Sequence, residues 1–327
     1  MTDVLPCRLA ISIINYRTGD LTWGCVQSVL ADLGGRTDAT IVVVDNASGD
    51  GSAEMLAQRI AALPPGGTPV RLIASPVNGG FSAGHNLGMG AVAADWYLVL
   101  NSDAILRPGF VDIALQAGDG APADIGILAP RLEDEDGTPQ VSLFRFPTPV
   151  SEIIRGANTG PITKVLSRWD VPIHGEAAPG QIGWASFACI LLRGAMVRAI
   201  GPMDQGYFLY FEDAEYCLRA RRAGWRLAPL PQARAVHFRG GSGPVKSLAT
   251  ARKRLPAYYY ASRSRFMRQI AGPVGPLLAN LGWIGGRGVA HLRRLTGRDV
   301  PGRTQGEAGD IWINSLRPLT GSDRRKG

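Results

Sequence analysis

The sequence is poor in cysteine, and its few cysteines form no recognisable pattern. Cys7, Cys25, Cys189 and Cys217 make no CxxC pair and have no regular spacing. Scattered thiols favour a reducing cytosol over a disulfide framework. Residues 1–9 also lack the apolar segment of a secretory signal peptide, so we expect a cytoplasmic protein.

Several longer patterns are missing as well. There is no internal repeat, and 45% hydrophobic with 19% charged residues excludes wholesale disorder. Neither a GxGxxG motif nor a Walker loop occurs, so NAD and P-loop chemistry lose support. No module interleaves aromatic residues with base-reading polar side chains, and we therefore predict no nucleic-acid partner.

Acidic residues are scarce in the last quarter of the chain. From Lys246 to Gly327 there are 16 Lys and Arg against 4 Asp and Glu. Residues 1–245 hold 19 Lys and Arg against 23 Asp and Glu. A basic tail on a slightly acidic body predicts that the tail alone touches an anionic surface. We therefore expect two regions, a catalytic domain at 1–245 and a basic helical region at 246–327.

Apolar runs alternate with helical patterns over the first 130 residues. Strands that alternate with helices of about ten residues predict right-handed βαβ units, and hence a three-layer Rossmann-like α/β domain with a mostly parallel sheet. The predicted strands are 9–15, 40–45, 70–75, 97–101 and 125–129, and the predicted helices are 21–31, 52–62, 82–94 and 108–116. Further along, we predict a substrate-facing loop with one short helix at 150–180, a strand at 182–192, a helix at 212–223, and strands at 226–229 and 233–238.

Polar side chains directly follow two of these strands. Asp45 and Asn46 follow the run at 41–44, and Asn101-Ser102-Asp103 follows the run at 98–100. Ligands of α/β sheets bind at the carboxyl ends of the strands. Asp45 could accept a hydrogen bond from a nucleobase imide or a ribose hydroxyl, or it could cap the next helix. Asp103 could hold Mg²⁺ or Mn²⁺, or it could cap a turn.

A glycine-rich segment, Asn78 to Gly88, joins the third predicted strand to a helix. Its glycines, Gly80 among them, would let the backbone approach a ligand closely, and a helix N-terminus favours anions. An ordinary glycine-rich turn is the alternative.

Two carboxylates and a histidine appear later in the chain. Glu212 and Asp213 open a helix after an aromatic run at 207–211. Burial among aromatic rings would raise a carboxylate pKa towards that of a useful base, although first-turn acids are also common because of the helix dipole. His237 lies at the end of an apolar strand. It could be a ligand, or it could be a histidine buried in the core. Carboxylates and an imidazole at one sheet edge suit a divalent metal, a diphosphate and a base, which predicts sugar transfer from a nucleotide.

Together these stretches resemble the inverting family 2 glycosyltransferases of the GT-A fold, most closely the bacterial rhamnosyltransferase-like branch that builds cell-wall and surface polysaccharides. The resemblance covers roughly residues 8–242. It implies that the domain at 1–245 is a GT-A nucleotide-sugar glycosyltransferase domain. This chain departs from the family's acidic metal-binding triplet by having Asn101 at the first position.

The resemblance also implies roles for individual residues. Asp213, beside Glu212, would be the general base, and Asp103 and His237 would contact the metal and the diphosphate. Trp184, Ala185 and Ser186 would line the donor and acceptor pocket. The nucleotide-contacting positions would be Asn15, Asp45, Asn46, Gly80 and Asn101.

The apolar stretch at 273–286 is free of charge but spans only 14 residues before Arg287. A bilayer span needs about 20, so we predict a helix lying in the membrane interface, with a helical pair packed on the domain as the alternative. Its predicted flanking and apolar residues are Arg263, Arg265, Arg268, Arg287, Arg293 and Arg294, and Phe266, Leu277, Leu278 and Trp283. The resemblance implies a polyprenyl-diphosphate-linked acceptor, so we expect a peripheral enzyme at the inner face of the cell membrane.

We therefore predict a metal-dependent inverting glycosyltransferase that moves a sugar onto a hydroxyl of a glycan or a polyprenyl-diphosphate-linked acceptor. The first choice of donor is dTDP-rhamnose. The alternatives are a UDP- or GDP-sugar donor with the same mechanism, and an inactive nucleotide-sugar-binding partner. A nucleotidyltransferase is disfavoured because residues 14–17 do not form its glycine-rich basic loop.

Overall fold

The computed structural model describes residues 7–175, 177, 180–238, 245–298, 300 and 302–317. The strands are β1 (Cys7–Asn15), β2 (Ala39–Asp45), β3 (Val70–Ala74), β4 (Ala94–Asn101), β5 (Ala104–Leu106), β6 (Ile125–Glu133), β7 (Leu143–Phe144), β8 (Trp184–Ala185), β9 (Cys189–Arg193) and β10 (Arg226–His237). The helices are α1 (Gly19–Leu33), α2 (Ser52–Ala61), α3 (Gly80–Gly90), α4 (Phe110–Gly120), α5 (Pro149–Ala157), α6 (Gly160–Val165), α7 (Gly194–Ile200), α8 (Glu212–Arg222), α9 (Val245–Thr250), α10 (Ala257–Ala271), α11 (Gly275–Leu295) and α12 (Glu307–Asp310).

Eight strands form the central sheet, in the order β3-β2-β1-β4-β9-β6-β10-β5. Six of them run in one direction, and β9 and β5 run against their neighbours. The register pairs Asn15 with Asp45, and Ile14 with Asn101. Three predicted site residues therefore lie at one edge of the sheet, where β1, β2 and β4 end.

The sheet is covered on both faces, which explains why its strands are continuous apolar runs. On one face, Ile11 and Val43 pack in the same cluster as Val26 of α1 and Phe110 of α4. On the other face, Val44 shares a cluster with Met89 of α3 and Tyr216 of α8. The predicted three-layer α/β architecture is confirmed.

The second half of the chain differs from its predicted elements. Residues 150–180 hold two α-helices, α5 and α6, where we predicted a loop with one short helix. The predicted strand at 182–192 is interrupted between β8 and β9, and the short strand β5 was missed. The predicted strands at 226–229 and 233–238 form the single strand β10, and Pro108 precedes α4, which begins at Phe110.

The C-terminal helices α10 and α11 pack on the catalytic body through small residues. A Cβ on Gly156 of α5 would lie 2.2 Å from the carbonyl oxygen of Trp283, and one on Gly286 would lie 2.3 Å from that of Ile153. Only glycine permits this approach of the two helix backbones. Gly286 and Gly282 of α11 therefore allow its close crossing with α5.

This packing corrects part of the predicted membrane face. Phe266 and Trp283 are buried, and Arg263 is fully buried with its guanidinium 2.7 Å from a Glu152 oxygen and 2.8 Å from Asn280 Oδ1. Arg265 is likewise turned inward, against Asp204. These four side chains pair or pack inside the protein because each has a partner there, so they do not form the predicted outer face.

Candidate active site

The end of β2 carries a network of buried polar side chains. The Asn15 amide nitrogen donates to an Asp45 oxygen at 2.7 Å and to Ser52 Oγ at 2.7 Å, and the Asn15 oxygen accepts from Thr22 Oγ1 at 2.9 Å. Asp45 also accepts from the Ser48 backbone amide at 3.1 Å. Asn15 and Asp45 therefore lie together as predicted and shape the turn before α2, while their contact with a nucleotide stays a prediction.

Asn46 connects this turn to the start of α3. Its amide nitrogen donates to the carbonyl of Gly80 and to Asn78 Oδ1, both at 3.0 Å. Its side-chain oxygen is buried and has no hydrogen-bond partner among the described residues. Gly80 has φ +80°, and a Cβ there would lie 2.0 Å from the Phe208 carbonyl oxygen. Glycine is required at this position, and Asn46 offers an acceptor to a ligand.

Asp103 and His237 meet at the end of β4. Asp103 is completely buried, and its Oδ1 lies 3.5 Å from His237 Nε2. Gln140, which sequence reasoning missed, lies behind the histidine: its oxygen is 3.3 Å from His237 Nδ1, and its nitrogen donates to the His237 carbonyl at 2.7 Å. In the tautomer that carries its hydrogen on Nδ1, the imidazole donates to the Gln140 oxygen and the Nε2 lone pair faces Asp103.

The donor set of Asp103 and His237 fits a divalent cation. In that tautomer Nε2 and the Asp103 oxygen are two acceptors 3.5 Å apart, and a cation between them would relieve their repulsion. A carboxylate and an imidazole suit Mn²⁺, and Mg²⁺ is commonly bound by one or two carboxylates with a substrate diphosphate. In the described part of the chain, no group of three or more Asp, Glu, His or Cys is placed so that it could hold a metal ion.

Glu212 and Asp213 open α8, as predicted. Burial raises the pKa of Asp213 to about 7, although the backbone amides of Ala214 and Phe187 favour its ionised form. Burial, reinforced by Asp213, raises the pKa of Glu212 well above its usual range. Asp213 is the better candidate for a proton acceptor, because its pKa lies near neutrality and it, rather than Glu212, lines the pocket.

A short backbone segment brings the base to the end of β4. The Phe187 amide faces Asp213, and the carbonyl of the next residue, Ala188, accepts from the Asn101 amide at 2.9 Å. Asn101 itself carries a half-buried side chain at the end of β4. Asp213 and Asn101 are therefore linked through two consecutive residues, Phe187 and Ala188, while their functional roles stay predictions.

Asp213 opens into a pocket of about 400 Å³. Its walls are mainly aromatic and apolar, from Trp184, Tyr210, Phe211 and Tyr259, and α5 contributes Glu152 and Arg155. Trp184 stacks on Phe144 with ring centroids 4.2 Å apart. Of the predicted pocket residues, Trp184 lines this pocket. Ala185 is buried beneath it, and Ser186 donates its backbone amide to the Ser142 carbonyl at 2.9 Å.

Sequence reasoning missed the charged wall of the pocket. Burial alone would raise the pKa of Glu152. The charges of Arg155 and Arg263 outweigh burial and lower this pKa to about 2. Arg155 also pairs with Glu307 of α12. The sequence did carry a signal for α5, the helix that bears Glu152 and Arg155. Thr148 and Ser151 form a capping box at its start, with Pro149 in the first turn.

The outer face of α11 is an apolar stripe. Leu277, Leu278, Leu281, Ile284, Leu292 and Leu295 are 42–71% exposed. Arg294 and His291 are exposed beside the stripe. Among the described helices, none is long and apolar enough to cross a bilayer.

Comparison with known proteins matches residues 10–166 to Glycosyl transferase family 2. The N-acetylglucosaminyl-diphospho-decaprenol L-rhamnosyltransferase of Mycobacterium tuberculosis is 28% identical over 274 residues, which cover 77% of this chain and 83% of that protein. Rhamnosyltransferase WbbL of Escherichia coli is 24% identical over 144 residues, covering 44% of this chain and 52% of that protein.

The chain is a glycosyltransferase whose residues 10–166 match family 2 and whose relatives include rhamnosyltransferases. Its fold is the GT-A fold. The mannosyltransferase PcManGT of Pyrobaculum calidifontis, solved with GDP-Man and Mn²⁺, superposes with a TM-score of 0.56 at 13% identity, over 99% of this chain and 85% of that one. The predicted fold, family and enzyme class of this glycosyltransferase are thereby confirmed.

Proposed function

We propose that this glycosyltransferase moves L-rhamnose from dTDP-rhamnose onto a hydroxyl of a polyprenyl-diphosphate-linked sugar, with inversion of configuration and with help from Mg²⁺ or Mn²⁺. The observation that carries the proposal is the titratable carboxylate of Asp213, which lines an aromatic pocket and connects through Phe187 and Ala188 to the end of β4. The Mycobacterium tuberculosis relative, by its name, acts on N-acetylglucosaminyl-diphospho-decaprenol, which supports a lipid-linked acceptor.

The donor is proposed to lie along the ends of β1, β2 and β4. The unpartnered oxygen of Asn46 would accept from a nucleobase imide, which thymine and uracil both carry. The start of α3 at Gly80 brings backbone close to the nucleotide, and Asn101 would contact sugar or ribose. Asn15 is proposed to hold Asp45 in place, since its own amide is already occupied.

The residues of the site would support a single displacement. Asp213 takes the proton of the acceptor hydroxyl as the hydroxyl oxygen attacks the anomeric carbon. The raised pKa of Glu212 disfavours a second negative charge beside the base. Asp103 and His237 would hold the cation, which when bound neutralises the diphosphate and makes it a competent leaving group. The aromatic walls orient the acceptor and exclude water from the donor.

The acceptor is proposed to approach from the side of α5 and α11. α5 lies between the pocket, which Glu152 and Arg155 line, and α11, whose outer face is the apolar stripe. An apolar stripe beside basic side chains suits an anionic bilayer surface. We propose that α11 holds the enzyme at the inner face of the membrane, where a lipid-linked acceptor lies.

We also propose a functional boundary at 245/246. Residues 1–245 would carry the chemistry, and residues 246–327 would provide the membrane contact and part of the pocket wall. The glycine-rich stretch that precedes α9, residues 240–241, lies outside the described residues.

Calorimetric titration of dTDP, UDP, GDP and their sugar nucleotides, with Mn²⁺ and with EDTA, tests the proposal. We expect metal-dependent binding of dTDP and tighter binding of dTDP-rhamnose. Preferential binding of UDP or GDP would leave the proposed mechanism standing but would show that the donor is a UDP- or GDP-sugar. An absence of binding to all of them would favour the inactive partner.

A further inference from the structure

The loop before the base has an unusual backbone. Residues 204–211, here called the base loop, lead into α8, and the two residues before Glu212 both have positive φ: 71° at Tyr210 and 69° at Phe211. Bulky non-glycine residues rarely adopt this conformation, and two in succession persist only when their surroundings hold them. The position of Asp213 therefore depends on whatever fixes this loop.

Polar side chains of α10 hold the base loop from one side. Arg265 forms a bidentate ion pair with Asp204, with nitrogen–oxygen distances of 2.9–3.0 Å. Both side chains are largely buried, at 11% and 14% exposure. Gln269 donates to Asp204 at 3.1 Å and accepts from the Tyr207 hydroxyl.

Further along α10, Ser262 and a set of aromatic rings hold the strained end of the loop. Ser262 Oγ donates to the Leu209 carbonyl at 3.2 Å. The Tyr210 ring stacks with that of Tyr258 at an interplanar angle of 10°, and Phe211 lies 5.7 Å from Tyr259 and 5.8 Å from Phe266 between ring centroids. Every contact in this set comes from α10, which lies outside the matched family region.

The opposite side of the base loop touches the proposed nucleotide site. The Phe208 carbonyl accepts from the Phe81 amide at 2.8 Å, directly beside Gly80. The Gly80 carbonyl in turn accepts from Asn46. The base loop is thus clamped between the start of α3 and the face of α10.

We propose that α10 positions the catalytic base of this glycosyltransferase, and that Arg265 is the main positioning residue. The ion pair with Asp204 anchors the start of the base loop, and Ser262 with the aromatic rings fixes the left-handed residues before Asp213. This inference rests on the assignment of Asp213 as the base.

A substrate-free measurement tests the positioning directly. We expect Arg265→Met to increase hydrogen exchange of the backbone amides at 204–215 by about tenfold or more, as followed by mass spectrometry. Arg268→Met is the matched control, because Arg268 lies on the same helix and donates to the carbonyls of Pro273 and Ser315. Unchanged exchange at 204–215 in Arg265→Met would overturn the proposal. Should that variant fail to fold, Ser262→Ala gives the same test through a single hydrogen bond.

Kinetics with dTDP-rhamnose and a synthetic polyprenyl-diphosphate-linked N-acetylglucosamine supply the second readout. We expect Arg265→Met to lower kcat by about 10- to 100-fold, since small displacements of a reacting group carry losses of this order. Binding of dTDP should change less than about twofold, and Arg265→Lys should recover part of kcat. A looser base loop would let water reach Asp213, which would lower the pKa of its carboxyl. The acidic limb of the profile of rate against pH should therefore move to lower pH.

A parallel measurement on Asp213→Asn separates the two proposals. An active Asp213→Asn enzyme would refute the base itself, and the positioning proposal would fail with it. An inactive Asp213→Asn enzyme beside a fully active Arg265→Met enzyme with an unshifted profile would refute the positioning alone.

Discussion

At the scale of single residues, some polar side chains of the site are fully used in hydrogen bonds within the protein, and others keep an atom available. Asn15 and Asp45 hydrogen-bond to each other and to the turn before α2, whereas Asn46 keeps a buried acceptor unused. The same division holds for the carboxylate pair at the start of α8. Glu212 is buried, while Asp213 reaches the pocket.

Replacing Asp213 by Asn should abolish transfer and stabilise the fold. Removing a general base costs about 10²- to 10⁴-fold in kcat, while dTDP affinity should stay within about twofold. The raised pKa means that the folded protein binds more protons than the unfolded chain between about pH 4 and pH 7, so burial of this carboxylate destabilises the protein increasingly as pH rises through that window.

The Asn variant should therefore melt at a higher temperature than the wild type at pH 8, by the equivalent of a few kcal/mol, since one pKa unit corresponds to about 1.4 kcal/mol. Near pH 4 the two melting temperatures should coincide. A variant that keeps a substantial fraction of wild-type turnover would rule out Asp213 as the base.

His237→Gln should weaken the use of metal. The Nε2 lone pair that faces Asp103 is lost, so we expect the Mn²⁺ concentration for half-maximal transfer to rise about tenfold or more. Titration of Mn²⁺ into the dTDP complex measures the same loss without turnover. His291→Gln, at an exposed position of α11, is the control. Equal Mn²⁺ dependence in both variants would remove His237 from the metal site.

At the scale of elements, α11 serves two surfaces at once. Gly282, Gly286 and Trp283 face α5, and its leucines face outward. Removing the whole helix would uncover the apolar face of α5. Membrane contact is therefore better tested by changing the outer stripe alone.

Leu278→Glu with Leu281→Glu should reduce co-sedimentation with vesicles that contain anionic lipid by about tenfold or more. Both side chains are exposed, at 46% and 53%, so the fold should keep its melting temperature. Leu21→Glu, at 41% exposure on α1, is the matched control for an apolar residue off the stripe. Equal vesicle binding by the two proteins would refute the membrane role of α11.

At the scale of the whole molecule, segments far apart in the sequence converge on one pocket. α8 supplies the carboxylate of Asp213, α5 supplies a charged wall, and α10 supplies Tyr259. Burial raises the pKa of Asp213. The pH dependence of turnover therefore reports on the assembled site.

For the wild-type enzyme, kcat/KM should rise with pH through an apparent pKa near 7, because Asp213 must lose its proton before it can accept one. Below that value the rate should fall about tenfold per pH unit. A profile that stays flat down to pH 5 would show that a different group, or no titrating base, limits the reaction.

The sequence by itself determined the parallel strands of the sheet and their polar edge. Uninterrupted β-branched runs such as 41–44 are stable only between two covering layers, and the residues that follow them must lie at the carboxyl edge. Parallel pairing then places Asn15, Asp45 and Asn101 side by side. Local pattern was sufficient here because strand, turn and helix follow each other along the chain.

Only the tertiary structure decided what surrounds the base. Glu152, Arg155 and Tyr259 reach the pocket from segments far from Asp213 in sequence, and Arg263 turned from an expected surface charge into a buried partner of Glu152. The periodicity of a sequence segment does not specify which distant helix will pack on a given loop. The packing of α11 on α5 and of α10 on the base loop depends on many side chains that are buried together.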